Sequence, residues 1–174
     1  MLFRSQKLAV LALGPTDFAL RLVPFLCAIA ALVIFTSLAR RVLSPTGALV
    51  ATTLFAASGP FIAFAGIVKQ YSVDVFAAVA LTWLAVDLLA PADASRRWWV
   101  AGTGAALLWI SQPAVLVVAG VTPVLLWHAW RDGGARRTVL LTVVAAWLAS
   151  ALLVTLLSMA AITSATREYM LVFW

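Results

Sequence analysis

Between two long apolar stretches, Lys69-Gln70-Tyr71-Ser72-Val73-Asp74 forms the densest run of polar and ionisable side chains. A lysine ammonium is a compact point charge suited to holding a phosphate. Asp74 could orient that lysine or contact a metal, and the Tyr71 hydroxyl could reach a polar ligand. Hydrocarbon penalises an unpaired charge by about 2.5 kcal/mol or more. The group therefore belongs where a bilayer ends, or where helices enclose a cavity. A plainer reading stands beside each residue. Asp74 in a first helical turn complements the helix dipole, Lys69 snorkels to headgroups, and Tyr71 anchors at the interface.

Asp17 and Arg21 lie four apart, close enough on a helix to pair. Arg21 either adds positive charge to a phosphate site or fixes the helix start through Asp17. His128 stands alone among Trp127, Ala129 and Trp130, without partners for metal binding. Asp87 is expected to turn toward headgroup water. Ser111-Gln112-Pro113 supplies a cap and a first-turn proline. Pro24 reads as a helix-start residue, and Pro123 as a kink. Gly102, Gly104, Ala105 and Ala106 offer a small-residue surface for close helix packing. Cys27, the sole cysteine, can form no internal disulfide and reads as core filler. HExxH, Walker and GxSxG motifs and Cys/His clusters are absent from the sequence. No residue is assigned a catalytic or metal-ligating role.

These residues need elements to place them, and composition names the elements. Hydrophobic residues make up 65% of the 174-residue chain and charged residues 10%, with a mean hydropathy of +1.10. A soluble domain is about half apolar and a quarter charged. The expected fold is all-α: one polytopic transmembrane bundle of about six spans with an N-terminal interfacial helix. The spans fall near 20–39, 46–67, 73–90, 98–111, 114–130 and 139–161, with 1–19 and 162–174 external. Gly59-Pro60 interrupts the second span, and the short fourth and fifth could form one tilted hairpin.

Charge then gives sidedness. Arg40-Arg41, Arg96-Arg97 and Arg131/Arg136/Arg137 follow spans one, three and five, so the three clusters share one side. Short basic loops stay in the cytosol. Trp98, Trp99, Trp127 and Trp130 map to the same interface, as an aromatic belt would. The net charge of +6 is matched to anionic lipid headgroups rather than nucleic acid.

Gly14-Pro15-Thr16-Asp17-Phe18-Ala19-Leu20-Arg21-Leu22-Val23-Pro24 precedes a span closing on Leu38-Ala39-Arg40-Arg41. Ala57-Ser58-Gly59-Pro60-Phe61-Ile62, Lys69-Gln70-Tyr71-Ser72-Val73-Asp74, Ser111-Gln112-Pro113-Ala114 and Tyr169-Met170-Leu171-Val172-Phe173-Trp174 follow in order. This succession resembles the membrane half of GT-C glycosyltransferases, of the protein O-mannosyltransferase and aminoarabinose-transferase type. The resemblance implies an integral membrane enzyme of the bacterial inner membrane. Such an enzyme moves a sugar from a polyprenyl-phosphate donor to an acceptor on the outer face. It places Lys69, Arg21 and Tyr71 at the donor phosphate, with Asp74 in support, and leaves a divalent cation open as cofactor. The family's catalytic acid, in a first external loop after a preceding span, has no counterpart, and Asp17 does not match it. The resemblance therefore implies an incomplete piece, inactive alone. The competing class is a non-enzymatic polytopic protein, a transporter or a lipid-carrier flippase component.

Overall fold

A computed structural model describes residues 14, 16–66, 70–90, 96–132 and 134–160, with the side chains of 17–19 set aside. Among the described residues seven helices follow one another: α1 (Asp17–Val42), α2 (Pro45–Ala56), α3 (Gly59–Ala65), α4 (Tyr71–Leu89), α5 (Arg96–Ile110), α6 (Ala114–Asp132) and α7 (Gly134–Ala160). No strand occurs among the described residues. In lipid, backbone polar groups must be satisfied within each segment, and a helix does this. The expected interfacial helix at 1–19 and the tail at 162–174 lie outside the described residues, apart from Gly14, Thr16 and the first turn of α1.

Among the described residues four helices are long and apolar enough to cross a membrane, or five spans if α2 and α3 form one. The chain is a multi-pass membrane protein. The expected fourth span, α5, has only 15 residues, short of the roughly 20 a crossing needs. Hydrogen-bond register settles how the helices run. Trp83 Nε1 donates to Ser37 Oγ at 3.1 Å, and one turn onward Arg41 Nη1 meets Asp87 Oδ1 at 2.5 Å. Helices α1 and α4 are therefore parallel. On the other flank, Trp147 Nε1 donates to the Val100 carbonyl and Ser150 Oγ to the Ala105 carbonyl, so α5 and α7 are parallel too.

Parallel neighbours require a return path between them. α6 supplies it for α5 and α7. For α1 and α4 it is α2 with α3, bent by 54° at their junction. Ala57 and Ser58 form the break, and Pro60 lies in the first turn of α3, where its missing N–H costs nothing. Ser72 Oγ at the start of α4 donates to the Phe64 carbonyl near the end of α3. The bent pair has therefore carried the chain back to the level where α4 begins. It is one broken span.

Helix α4 is the axle: it packs on α1, α3, α5 and α6. Its buried stripe Ala77, Ala80, Leu81, Leu84, Ala85 and Leu88 recurs at helical spacing. Small residues on both sides, Ala28, Ala31 and Ala39 of α1 among them, let the backbones approach where lipid offers no hydrophobic drive. The hairpin alternative for spans four and five fails, because α5 packs chiefly on α7 rather than α6. Trp147, fully buried, sits on the Gly104 backbone. Of the expected small-residue surface, Gly104 makes that contact and the Ala105 carbonyl binds Ser150. Gly102 and Ala106 face outward.

One proline differs from expectation. Pro24 lies well inside α1 and is buried, so the Leu20 carbonyl loses its intrahelical donor. Pro123 lies inside α6, which runs unbroken from Ala114 to Asp132.

Candidate functional site

Polar chemistry divides between two ends of the bundle. At one end Asp87, 3% exposed, is held by Arg41 at 2.5 Å and by Arg96 Nη2 at 3.0 Å. The Arg41 guanidinium also lies 4.8 Å from the Trp83 ring centroid. Arg136 bonds the Leu89 carbonyl at the end of α4 and pairs with Asp132 at 3.1 Å. One buried carboxylate thus ties the end of α1 to the start of α5, and Arg136 adds α6 and α7. The expectation that Asp87 turns to headgroup water is corrected. Adjacent arginines take the place of water, because a buried carboxylate needs paired donors.

The three arginine clusters therefore converge at one end. Trp98, Trp99, Trp127 and Trp130 are all exposed beside them, with Arg97 over the Trp98 ring at 5.1 Å and Trp127 edge-on to Trp130. His128 is within 4.0 Å of Asp132. No group of three metal-capable side chains occurs among the described residues.

The opposite end is built where α4 starts and α5 stops. Gln70 Nε2 donates to the Ile110 carbonyl at 2.6 Å, closing one of the orphan acceptors that end a helix. The Tyr71 ring packs on Phe64 at 4.4 Å. One turn deeper, the Asp74 carboxylate faces the Ser111 hydroxyl. Asp74 Oδ1 and Ser111 Oγ are both buried, and among the described residues neither has a polar neighbour other than the other. Gln112 reaches past them to Ser158 of α7. Ser111 was expected as a cap; instead its side chain is fully buried and makes no capping bond. Its role in this cluster carries no signal in sequence, because it depends on α5 ending against α4.

Depth matters for Asp74. It precedes Asp87 by thirteen residues of one helix, about 20 Å at 1.5 Å per residue. A hydrocarbon core is about 30 Å thick. Asp74 thus stands toward the end of the bundle opposite the arginines, in the first turn of α4. It faces other helices there, which is how intramembrane acids are tolerated.

Of the four expected site residues, the structure places Tyr71 and Asp74 together on the first turn of α4. Arg21 is exposed on α1 and makes no ion pair with Asp74. By the α1–α4 register it stands about one turn beyond Tyr71. Lys69 lies outside the described residues, as does the Asp17 side chain expected to pair with Arg21.

No protein family, curated protein or solved structure matches this chain.

Proposed function

We propose that the Asp74 end of the bundle receives the phosphate-bearing head of a polyprenyl-phosphate sugar, as the membrane part of a GT-C-type glycosyltransferase. Lys69, Arg21 and Tyr71 meet the phosphate, and Asp74 with Ser111 orients the sugar's hydroxyls. The arginine end lies in the cytosol of a bacterial inner membrane, so the donor head is held on the outer face. Two things support this reading: the order of motifs in the sequence, and one observation of geometry. That observation is the buried pair of polar atoms Asp74 Oδ1 and Ser111 Oγ, which have no polar neighbour but each other among the described residues. A carboxylate with one hydroxyl donor keeps acceptor sites that a ligand or water can complete.

The test is retention of a radiolabelled polyprenyl-phosphate sugar by the protein in nanodiscs. Asp74→Asn is expected to weaken retention roughly tenfold, the value of one charge-assisted hydrogen bond. Retention no greater than that of an uncharged polyprenol would overturn the reading.

One observation favours a second reading. A span broken by 54° is a feature of transporters, whose discontinuous helices carry substrate through the midplane. A lipid-carrier flippase component would move the labelled carrier between leaflets of a sealed vesicle; the transferase reading expects it to stay on one side.

A further inference from the structure

On the α1–α2 side, the two helices diverge from their turn and leave a groove of about 540 Å³ at the arginine end. Leu43, Ala48 and Leu49 give it apolar walls, Thr36 and Thr52 stand within it, and Arg40 lines its mouth. Consecutive arginines do different work here, since neighbours on a helix point about 100° apart. Arg41 turns inward to Asp87. Arg40 turns outward, exposed, with no ion pair or hydrogen bond among the described residues.

A second polar atom in the groove is also unsatisfied. Thr36 and Thr53 donate to the carbonyls of Leu32 and Leu49 one turn back, the usual resort of a helical threonine in lipid. Thr52 Oγ1 is buried yet makes no hydrogen bond. An apolar slot facing the bilayer thus carries one free cation at its mouth and one free hydroxyl inside. Among the described residues neither donor has an acceptor. The positive end of α2 opens at the same mouth, because Pro45 lines it and begins that helix.

We propose that this groove holds one anionic phospholipid from the leaflet on the arginine side. Its phosphate rests on Arg40, an ester carbonyl accepts from Thr52 Oγ1, and an acyl chain lies along Ala48 and Leu49. A basic pocket between transmembrane helices is the chemistry that selects anionic headgroups. The site is separate from the Asp74 end and does not depend on the donor reading.

Native mass spectrometry of the whole protein, released from micelles with added lipid, tests it. Phosphatidylglycerol and phosphatidylcholine of matched acyl chains are compared. Wild type is expected to retain phosphatidylglycerol roughly fivefold better, the value of one arginine at a membrane surface. Arg40→Gln should abolish that preference and Arg40→Lys keep it, whereas Arg137→Gln, at an exposed arginine of the same end, should leave it intact. Thr52→Val should weaken both lipids, since both carry ester carbonyls. Equal retention of the two lipids by wild type would overturn the proposal. So would an equal effect of Arg137→Gln, which would mean a diffuse field. Displacement by inorganic phosphate alone would reduce the site to a plain anion site. Displacement by an equimolar polyprenyl phosphate would hand the groove to the carrier instead. Circular dichroism checks helix content in each variant, and the wild-type comparison decides without any variant.

Discussion

Arg41 Nη1 and Asp87 Oδ1 meet at 2.5 Å, forty-six residues apart in sequence, and the same offset joins Ser37 to Trp83 one turn away. Two contacts at one offset fix α1 and α4 as parallel and in register. They also oblige the bent pair α2–α3 to cross the full depth between them. Much of the molecule's behaviour follows from this geometry.

Removing the Asp87 carboxylate should destabilise the bundle. Its two partners are partly open to solvent, with side chains 37% and 51% exposed. The loss therefore falls between that of a surface pair and that of a buried one, about 1–3 kcal/mol for Asp87→Ala. Thermal unfolding in nanodiscs measures it. The double variant Asp87→Ala with Arg41→Gln should be less unstable than the sum of the singles, because the orphaned guanidinium is gone.

Gly104 and Gly102 lie on one helix, yet they should respond oppositely to alanine. A Cβ at Gly104 would overlap the Trp147 indole, whereas at Gly102 it meets open space. Gly104→Ala should cost about 1–3 kcal/mol through overpacking. Gly102→Ala should be neutral or stabilising by up to about 1 kcal/mol. Detergent-resistance midpoints of the two variants give the comparison.

Sidedness predicts a labelling pattern. In a background with Cys27→Ala, cysteines at Tyr71 and Gln112 should react with an impermeant maleimide from one side only. Cysteines at Arg40 and Arg131 should react from the other. Labelling of Tyr71→Cys and Arg40→Cys from the same face would contradict the parallel pairing of α1 with α4.

The 54° bend should depend on Gly59 and Pro60. Proline clashes with the carbonyl four residues earlier and forces the chain out of a continuous helix. Gly59→Ala with Pro60→Leu should let α2 run on into α3 and move their far ends apart. Spin labels at Leu49 and Ile62 would report that lengthening by pulsed electron resonance. An unchanged distance would place the cause of the bend in the Phe35–Phe55–Phe61 ring stack.

Composition and apolar run length alone determined that the chain is helical and embedded in a membrane. With 65% hydrophobic residues, runs of this length leave the backbone no other way to satisfy itself in lipid. Arginine spacing also determined that three basic clusters share one end, because that follows from counting crossings. Tertiary structure decided the partners. Asp87 looked like a residue facing water until α1 and α5 brought arginines to it. Ser111 looked like a cap until α5 ended beside Asp74, and nothing local marked Thr52 as a threonine whose hydroxyl stays unpaired. The Thr122 hydroxyl is likewise buried without a partner among the described residues, and each of these outcomes depends on which face of one helix meets another. Nearly every face here is apolar, so hydrophobic periodicity cannot choose between them. Small residues and a few hydrogen bonds choose instead, and they act only across the assembled interface.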